Sequence, residues 1–203
     1  MPNNINLLKQ DAIWYNQIVQ EGYRYVPGGT SSLAFFPLFP LIWKYSMLTP
    51  IAISIANLLL FIYSFKLLMY KEKLHYSVVL LILPFPSFIF FALPYSESIF
   101  FLFCTFIVIG LKSKNSTLIY IGLFGSSLTR SVCVFFIPAI LICGIFYIVK
   151  NGKDRSRLYK EIALKIIFCL AGFLSVVLYQ WWTTDTLFEF VKVQKYWGRN
   201  WRI

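Results

Sequence analysis

Charge is what this sequence has least of. Asp, Glu, Lys and Arg together make up 13% of its 203 residues, against 59% hydrophobic residues. With a mean hydropathy of +0.69, that balance argues against a domain whose main solvent is water. Histidine is nearly absent: His75 stands alone, in an expected solvated loop. No zinc-ligand spacing, phosphate-binding glycine loop or nucleophilic triad is visible, which sets aside the usual soluble-enzyme sites. The four cysteines, Cys104, Cys133, Cys143 and Cys169, fall inside apolar runs and read as small core or bilayer-facing residues. The polar stretch 1–10 lacks the apolar centre of a cleavable signal peptide. Neither a low-complexity linker nor an internal repeat divides the chain, so one membrane domain is the economical organisation.

What is abundant is uninterrupted apolar sequence. About 20 apolar residues cross the roughly 30 Å of bilayer hydrocarbon as a helix. The runs are continuous rather than alternating, which favours helices over a barrel. The expected fold class is therefore all-α, a polytopic membrane helical bundle with about six transmembrane helices plus interfacial helices. The spans are expected near 50–70, 77–93, 98–111, 116–130, 132–150 and 162–182, those at 98 and 116 being short. The segment 33–45, interrupted by Pro37 and Pro40, is too short to span and is expected as an interfacial or re-entrant helix.

The net charge of +11 does not read as a nucleic-acid surface, because the cations gather at span ends. Lys71 and Lys73 form one group, Lys112 and Lys114 a second, and Lys150, Lys153, Arg155, Arg157 and Lys160 a third. The positive-inside trend places these loops in the cytoplasm. Three regions follow: a non-cytoplasmic first loop over 1–49, a six-span bundle over 50–182, and a non-cytoplasmic basic and aromatic tail over 183–203.

The far side then collects residues that burial in a membrane does not explain: Asp11, Trp14, Tyr15, Glu21, Tyr23, Arg24, the stretch 35–40, Tyr95 to Ser98, Thr129 to Ser131, Gln194, Trp197 and Arg199. Carboxylates, cations and aromatic platforms are what a phosphate and a sugar require. Each has a plainer reading. Asp11 could cap a short helix over 12–20, and Trp14, Tyr15, Tyr23 and Tyr25 could be interfacial belt aromatics. Glu97 and Arg130 are harder to dismiss, since an ionisable group costs about 2.5 to 3.5 kcal/mol at mid-bilayer; the arginine can still snorkel. The kinking positions Pro84, Pro86 and Pro94 fit a helix broken beside a cavity. In the tail, Lys192, Lys195, Arg199 and Arg202 run against the positive-inside trend, which either anionic headgroups or a specific lipid-phosphate site would explain.

Taken together, the segments Asp11-Ala-Ile-Trp-Tyr15 running on to Glu21-Gly22-Tyr23, Phe35-Phe-Pro-Leu-Phe-Pro40, Pro86-Ser87-Phe88 with Phe90-Phe91, Tyr95-Ser-Glu-Ser98, Thr129-Arg130-Ser131 and the stretch 194–199 resemble the mannosyltransferase family that adds the second mannose in glycosylphosphatidylinositol assembly, together with its prokaryotic relatives. The resemblance extends over almost the whole chain. It implies a GT-C-like fold and a glycosyltransferase that moves a sugar, mannose by analogy, from a polyprenyl- or dolichyl-phosphate donor to an acceptor hydroxyl on the non-cytoplasmic face. Asp11 would then be the catalytic base of an inverting single displacement. Arg130 and Arg199 would steady the departing lipid phosphate, and Glu97 would hold sugar hydroxyls or orient an arginine. Trp14, Tyr15, Tyr23, Gln194 and Trp197 complete the implied substrate-binding set. The pattern departs from the family in two places: family members carry a transmembrane helix before the aspartate motif and continue through further spans, so a truncated relative is expected.

The partners implied are the bilayer, the lipid-phosphate sugar as co-substrate, an unidentified glycan or lipid acceptor and an accessory membrane subunit, with no nucleic acid. Nothing in the spacing calls for a metal or cofactor, although far-side carboxylates could hold a divalent ion. The competing classes are an inactive or accessory relative in a glycosylation complex and, behind it, a membrane transporter, which would place ionisable groups mid-span rather than at one surface. Short loops favour a prokaryotic cytoplasmic membrane over endoplasmic reticulum.

Overall fold

In a computed structural model of the chain, residues 3–72, 75, 77, 85–151, 155–185 and 187–197 are described. Among them the structure is all-helical, with no strand. The short helix α1 (Asn4–Leu7) leads into α2 (Asp11–Glu21) and, after a loop, α3 (Leu38–Ser46). The bundle proper comprises α4 (Pro50–Glu72), α5 (Ile89–Ala92), α6 (Glu97–Ser113), α7 (Ser116–Thr129), α8 (Phe136–Asn151) and α9 (Arg155–Thr184). A last helix, α10 (Glu189–Val193), is followed by a 3₁₀ turn, Gln194–Trp197.

Local chemistry sets several boundaries. The Thr49 hydroxyl accepts from the Ala52 N–H at 3.3 Å, and Pro50, which has no N–H to lose, opens α4. Asn115 caps α7 by accepting from the Leu118 N–H at 3.2 Å. Between α6 and α7, Lys114 takes the left-handed conformation (φ 53°) and closes α6 on the Gly110 carbonyl.

Among the described residues, three helices are long and apolar enough to cross a membrane: Pro50–Lys71, Ser131–Lys150 and Arg155–Thr184. The pair Pro86–Ala92 and Glu97–Ser113, bent by 98°, adds a fourth if counted as one broken span. Against the six expected spans, three or four helices among the described residues meet the requirement. α7, with 14 residues, extends only about 21 Å. Residues 78–84 of the span expected at 77–93 lie outside the described residues; its final part folds as a 3₁₀ turn and α5. The last span is longer than expected, 30 residues from Arg155, because the helix continues past the apolar run into the basic segment. The expected short element at 33–45 appears as a 3₁₀ turn, Ser32–Ala34, and the nine-residue α3.

Small residues let the central helices close up. A Cβ at Gly122 would stand 2.7 Å from the Phe103 carbonyl oxygen, and one at Gly172 would stand 2.5 Å from that of Phe124. Glycine is what permits α6, α7 and α9 to approach so closely, the device of helix packing in lipid. Away from these contacts the surface stays apolar. Ile142, Ile145, Phe146 and Val149 of α8 and Ile167, Leu170 and Leu174 of α9 are exposed, a surface that suits hydrocarbon.

Candidate functional site

The first loop, the Pro94–Ser96 turn and the end of α7 meet at one end of the bundle. Two amides inside the apolar runs of α4 and α9 hold the Pro94–Ser96 turn and the first loop there. Asn57 of α4, buried, donates to the carbonyls of Leu93 at 2.7 Å and Tyr95 at 3.0 Å. Gln180 of α9, also buried, donates to the Leu33 carbonyl at 3.0 Å. Backbone that turns instead of coiling needs partners for its carbonyls, and where water is excluded a side-chain amide is an economical source of donors.

α2 lies across this end with Ala12, Tyr15 and Ile18 buried. Ala12 and Tyr15 pack in one cluster with Phe39, Trp43, Ile53, Tyr95 and Ile99. The Tyr15 hydroxyl donates to the Ser96 hydroxyl at 3.0 Å, and the Tyr95 hydroxyl donates to the Lys9 carbonyl at 3.2 Å. Both phenols are pushed above their ordinary value. Burial is the main cause in each, and the charges of Glu97 and Asp11 add to it. Tyr15 also feels the guanidinium of Arg130, which opposes the rise.

Arg130 follows the last turn of α7 in an extended conformation (φ −150°). Its guanidinium donates to the Glu97 carboxylate at the first turn of α6. The pair is part-exposed, 38% for Arg130 and 24% for Glu97, so it is reachable from outside. A pair this exposed is worth on the order of 1 kcal/mol or less to stability, too little to account for two ionisable groups in an apolar chain. Asp11 lies close enough for its charge to act on Tyr15, Tyr95 and Arg130. The capping alternative for Asp11 does not describe its place. Gln10 is the N-cap, at φ 49° and without a side-chain cap bond, while Asp11 sits inside the first turn, where the helix dipole favours a carboxylate.

Aromatic rings wall this cluster. Phe35 meets Tyr15 edge-on at 4.9 Å, and Trp197 meets Trp14 at 4.7 Å and Phe35 at 5.3 Å. Thus a residue from the tail closes against two from the first loop. The Trp197 indole N–H is buried without a partner among the described residues. Gln194 is half-buried in the same 3₁₀ turn. Tyr23, expected to touch substrate, has its hydroxyl on the Phe35 carbonyl at 2.9 Å and its ring against Tyr179 at 5.8 Å, and so braces the loop. Glu189 ties the tail down from α10, accepting from the Tyr25 hydroxyl at 3.2 Å and from Lys192 at 2.8 Å. Arg199 lies outside the described residues.

The structure therefore brings Asp11, Trp14, Tyr15, Glu97, Arg130 and Trp197 to one place. Family models, curated proteins and solved structures offer no match to this chain. The functional reading rests on the residues themselves. Asn57 and Gln180 were not singled out as site residues from the sequence; the signal that marks them is a lone amide in a long apolar helix. Ser96 stood within a singled-out segment, but its role as the partner of Tyr15 depends on the fold. No three side chains of the metal-binding types gather among the described residues, and no cation site is assigned.

Proposed function

We propose that the chain is a multi-pass membrane glycosyltransferase of the GT-C type, related to the mannosyltransferases it resembles. It would transfer a sugar, mannose by that resemblance, from a polyprenyl- or dolichyl-phosphate to an acceptor hydroxyl. The observation that carries this reading is the convergence of Asp11, Tyr15, Glu97 and Arg130, from three segments remote in sequence, beside the wall of Trp14, Phe35 and Trp197. A carboxylate, a cation and aromatic faces gathered around a part-exposed ion pair suit a sugar attached to a phosphate.

The chemistry is a single displacement. The acceptor oxygen attacks the anomeric carbon from the face opposite the phosphate, and Asp11 takes the hydroxyl proton. The bond from that carbon to the phosphate oxygen breaks, and its electron pair leaves with the lipid phosphate. Arg130 and, from the tail, Arg199 balance the charge that develops there. Glu97 aims the Arg130 guanidinium, and Tyr15, which burial keeps neutral, is a hydrogen-bonding group beside both. In this reading the chain crosses a prokaryotic cytoplasmic membrane six times, with the cluster on the outer face.

A second reading has one observation in its favour: the Glu97 carboxylate already neutralises Arg130, which suits an inactive or accessory relative. Transfer of radiolabelled sugar from a panel of polyprenyl-phosphate sugars, in membranes carrying wild type or Asp11→Asn at matched protein level, separates the two. Loss of a general base lowers transfer by about 100-fold or more. Equal transfer in both proteins removes Asp11 from the role, and no transfer from any donor favours the accessory protein.

A further inference from the structure

Beside the cluster, the first loop folds back on itself. After Gly22, at φ 83°, the chain runs out along Tyr23 to Val26, turns through Pro27 and Gly28 (φ 75°), and returns to Ser31 and Ser32. The buried serines clamp the two limbs to the Arg24 backbone: Ser31 Oγ donates to its carbonyl at 2.7 Å, and its N–H donates to Ser32 Oγ at 2.9 Å. Held in this way, the loop and α2 enclose an open pocket of about 160 Å³, lined by Trp14, Gln17, Arg24, Val26, Thr30 and Ser32. The Arg24 guanidinium pairs with no carboxylate among the described residues. Gln17 donates from Nε2 to Glu21 Oε2 at 3.1 Å, which leaves its carbonyl oxygen able to accept.

We propose that this pocket is a second ligand site, which takes one hydroxyl-rich ring bearing an acidic group: an anionic sugar or polyol. Each part of the lining answers a part of that ligand. The Trp14 indole offers an apolar face for the C–H face of a ring, and the Gln17 amide and Thr30 hydroxyl offer hydrogen bonds to ring hydroxyls. Arg24 supplies the planar fork that matches a phosphate or carboxylate. Sites for drug-sized ligands begin at about 300 Å³, so this one holds a single ring and no lipid chain. Trp14 belongs both to the pocket and to the wall it forms with Phe35 and Trp197, and the next residue is Tyr15. A ring seated here lies beside the cluster that holds Asp11 and Arg130. The assignment of that ring to the acceptor rests on the glycosyltransferase reading; the binding site itself does not.

The test is a titration of tryptophan fluorescence in the whole protein reconstituted in nanodiscs, with mannose 6-phosphate, free mannose and inorganic phosphate as separate probes, and with Trp14→Phe to assign the signal. Saturable binding of the sugar phosphate below about 10 mM, weakened at least ten-fold in Arg24→Ala and measurably in Thr30→Val, is the expected result. The proposal is overturned if the sugar phosphate does not saturate in that range, if inorganic phosphate binds as tightly as the sugar phosphate, or if a folded Arg24→Ala or Thr30→Val binds equally well. Sugar transfer is not part of the readout. A silent titration beside Asp11-dependent transfer removes the pocket alone, and Arg24-dependent binding without transfer from any donor removes the enzyme alone.

Discussion

Replacing Asn57 by leucine should loosen the turn that carries Ser96 while leaving α4 intact. The Asn57 amide, 3% exposed, is the donor to both the Leu93 and Tyr95 carbonyls. Leucine keeps the branched four-heavy-atom outline with bulkier methyls, so no cavity results, but both bonds are lost and two carbonyls lose a donor. Net hydrogen-bond contributions run from about 0.5 to 1.5 kcal/mol each, and those measured between membrane helices average about 0.6 kcal/mol. Two bonds therefore set the local cost at about 1 to 3 kcal/mol. Leucine also raises the helix propensity and apolarity of α4, so a global melting temperature would blur the effect. The gauge is amide hydrogen exchange over residues 93–98, read against α9 in the same protein. A cost of about 1 to 3 kcal/mol speeds exchange by roughly 5- to 150-fold where local opening controls it. Because Tyr15 bonds Ser96, protection in α2 should fall as well. Unchanged exchange over 93–98 would refute the idea that this amide holds the turn, and a change confined to α4 would show that leucine had simply disturbed its own helix.

Two further outcomes follow from the packing. The Tyr15 phenol is raised above its ordinary value of 10.0 in the folded chain, so its contribution is fully present below that pH and lost as pH rises beyond it. Tyr15→Phe should flatten the decline of thermal stability above about pH 10, and an alkaline profile identical to wild type would count against a buried Tyr15. Gly172→Ala places a methyl 2.5 Å from the Phe124 carbonyl and should destabilise the protein by about 1 to 3 kcal/mol, read as loss of monodisperse protein on heating in detergent; a neutral result would mean that α7 and α9 are less closely packed.

Much of the site was visible before the fold, because a membrane makes polar residues conspicuous. Asp11, Trp14, Tyr15, Glu97, Arg130 and Trp197 stand out against an apolar background, and charge at span ends sorts them towards one side. Tyr23 was equally conspicuous, and in the fold its hydroxyl donates to the Phe35 carbonyl. Asn57 and Gln180 escaped notice because an amide carries no charge and each is surrounded by residues typical of a span.

The sequence by itself determined that the described chain is helical and that several of its helices suit hydrocarbon. Those are local properties: continuous apolar runs, a threonine and a proline before α4, and an asparagine before α7. Tertiary structure alone decided that Glu97 answers Arg130, that Ser96 accepts from Tyr15 and that Trp197 closes on Trp14. Those pairings depend on a 98° bend before α6, on glycines that let α6, α7 and α9 approach, and on two buried amides that bind backbone carbonyls. No run of neighbouring residues encodes such geometry, because each contact joins segments that meet only after the helices have packed.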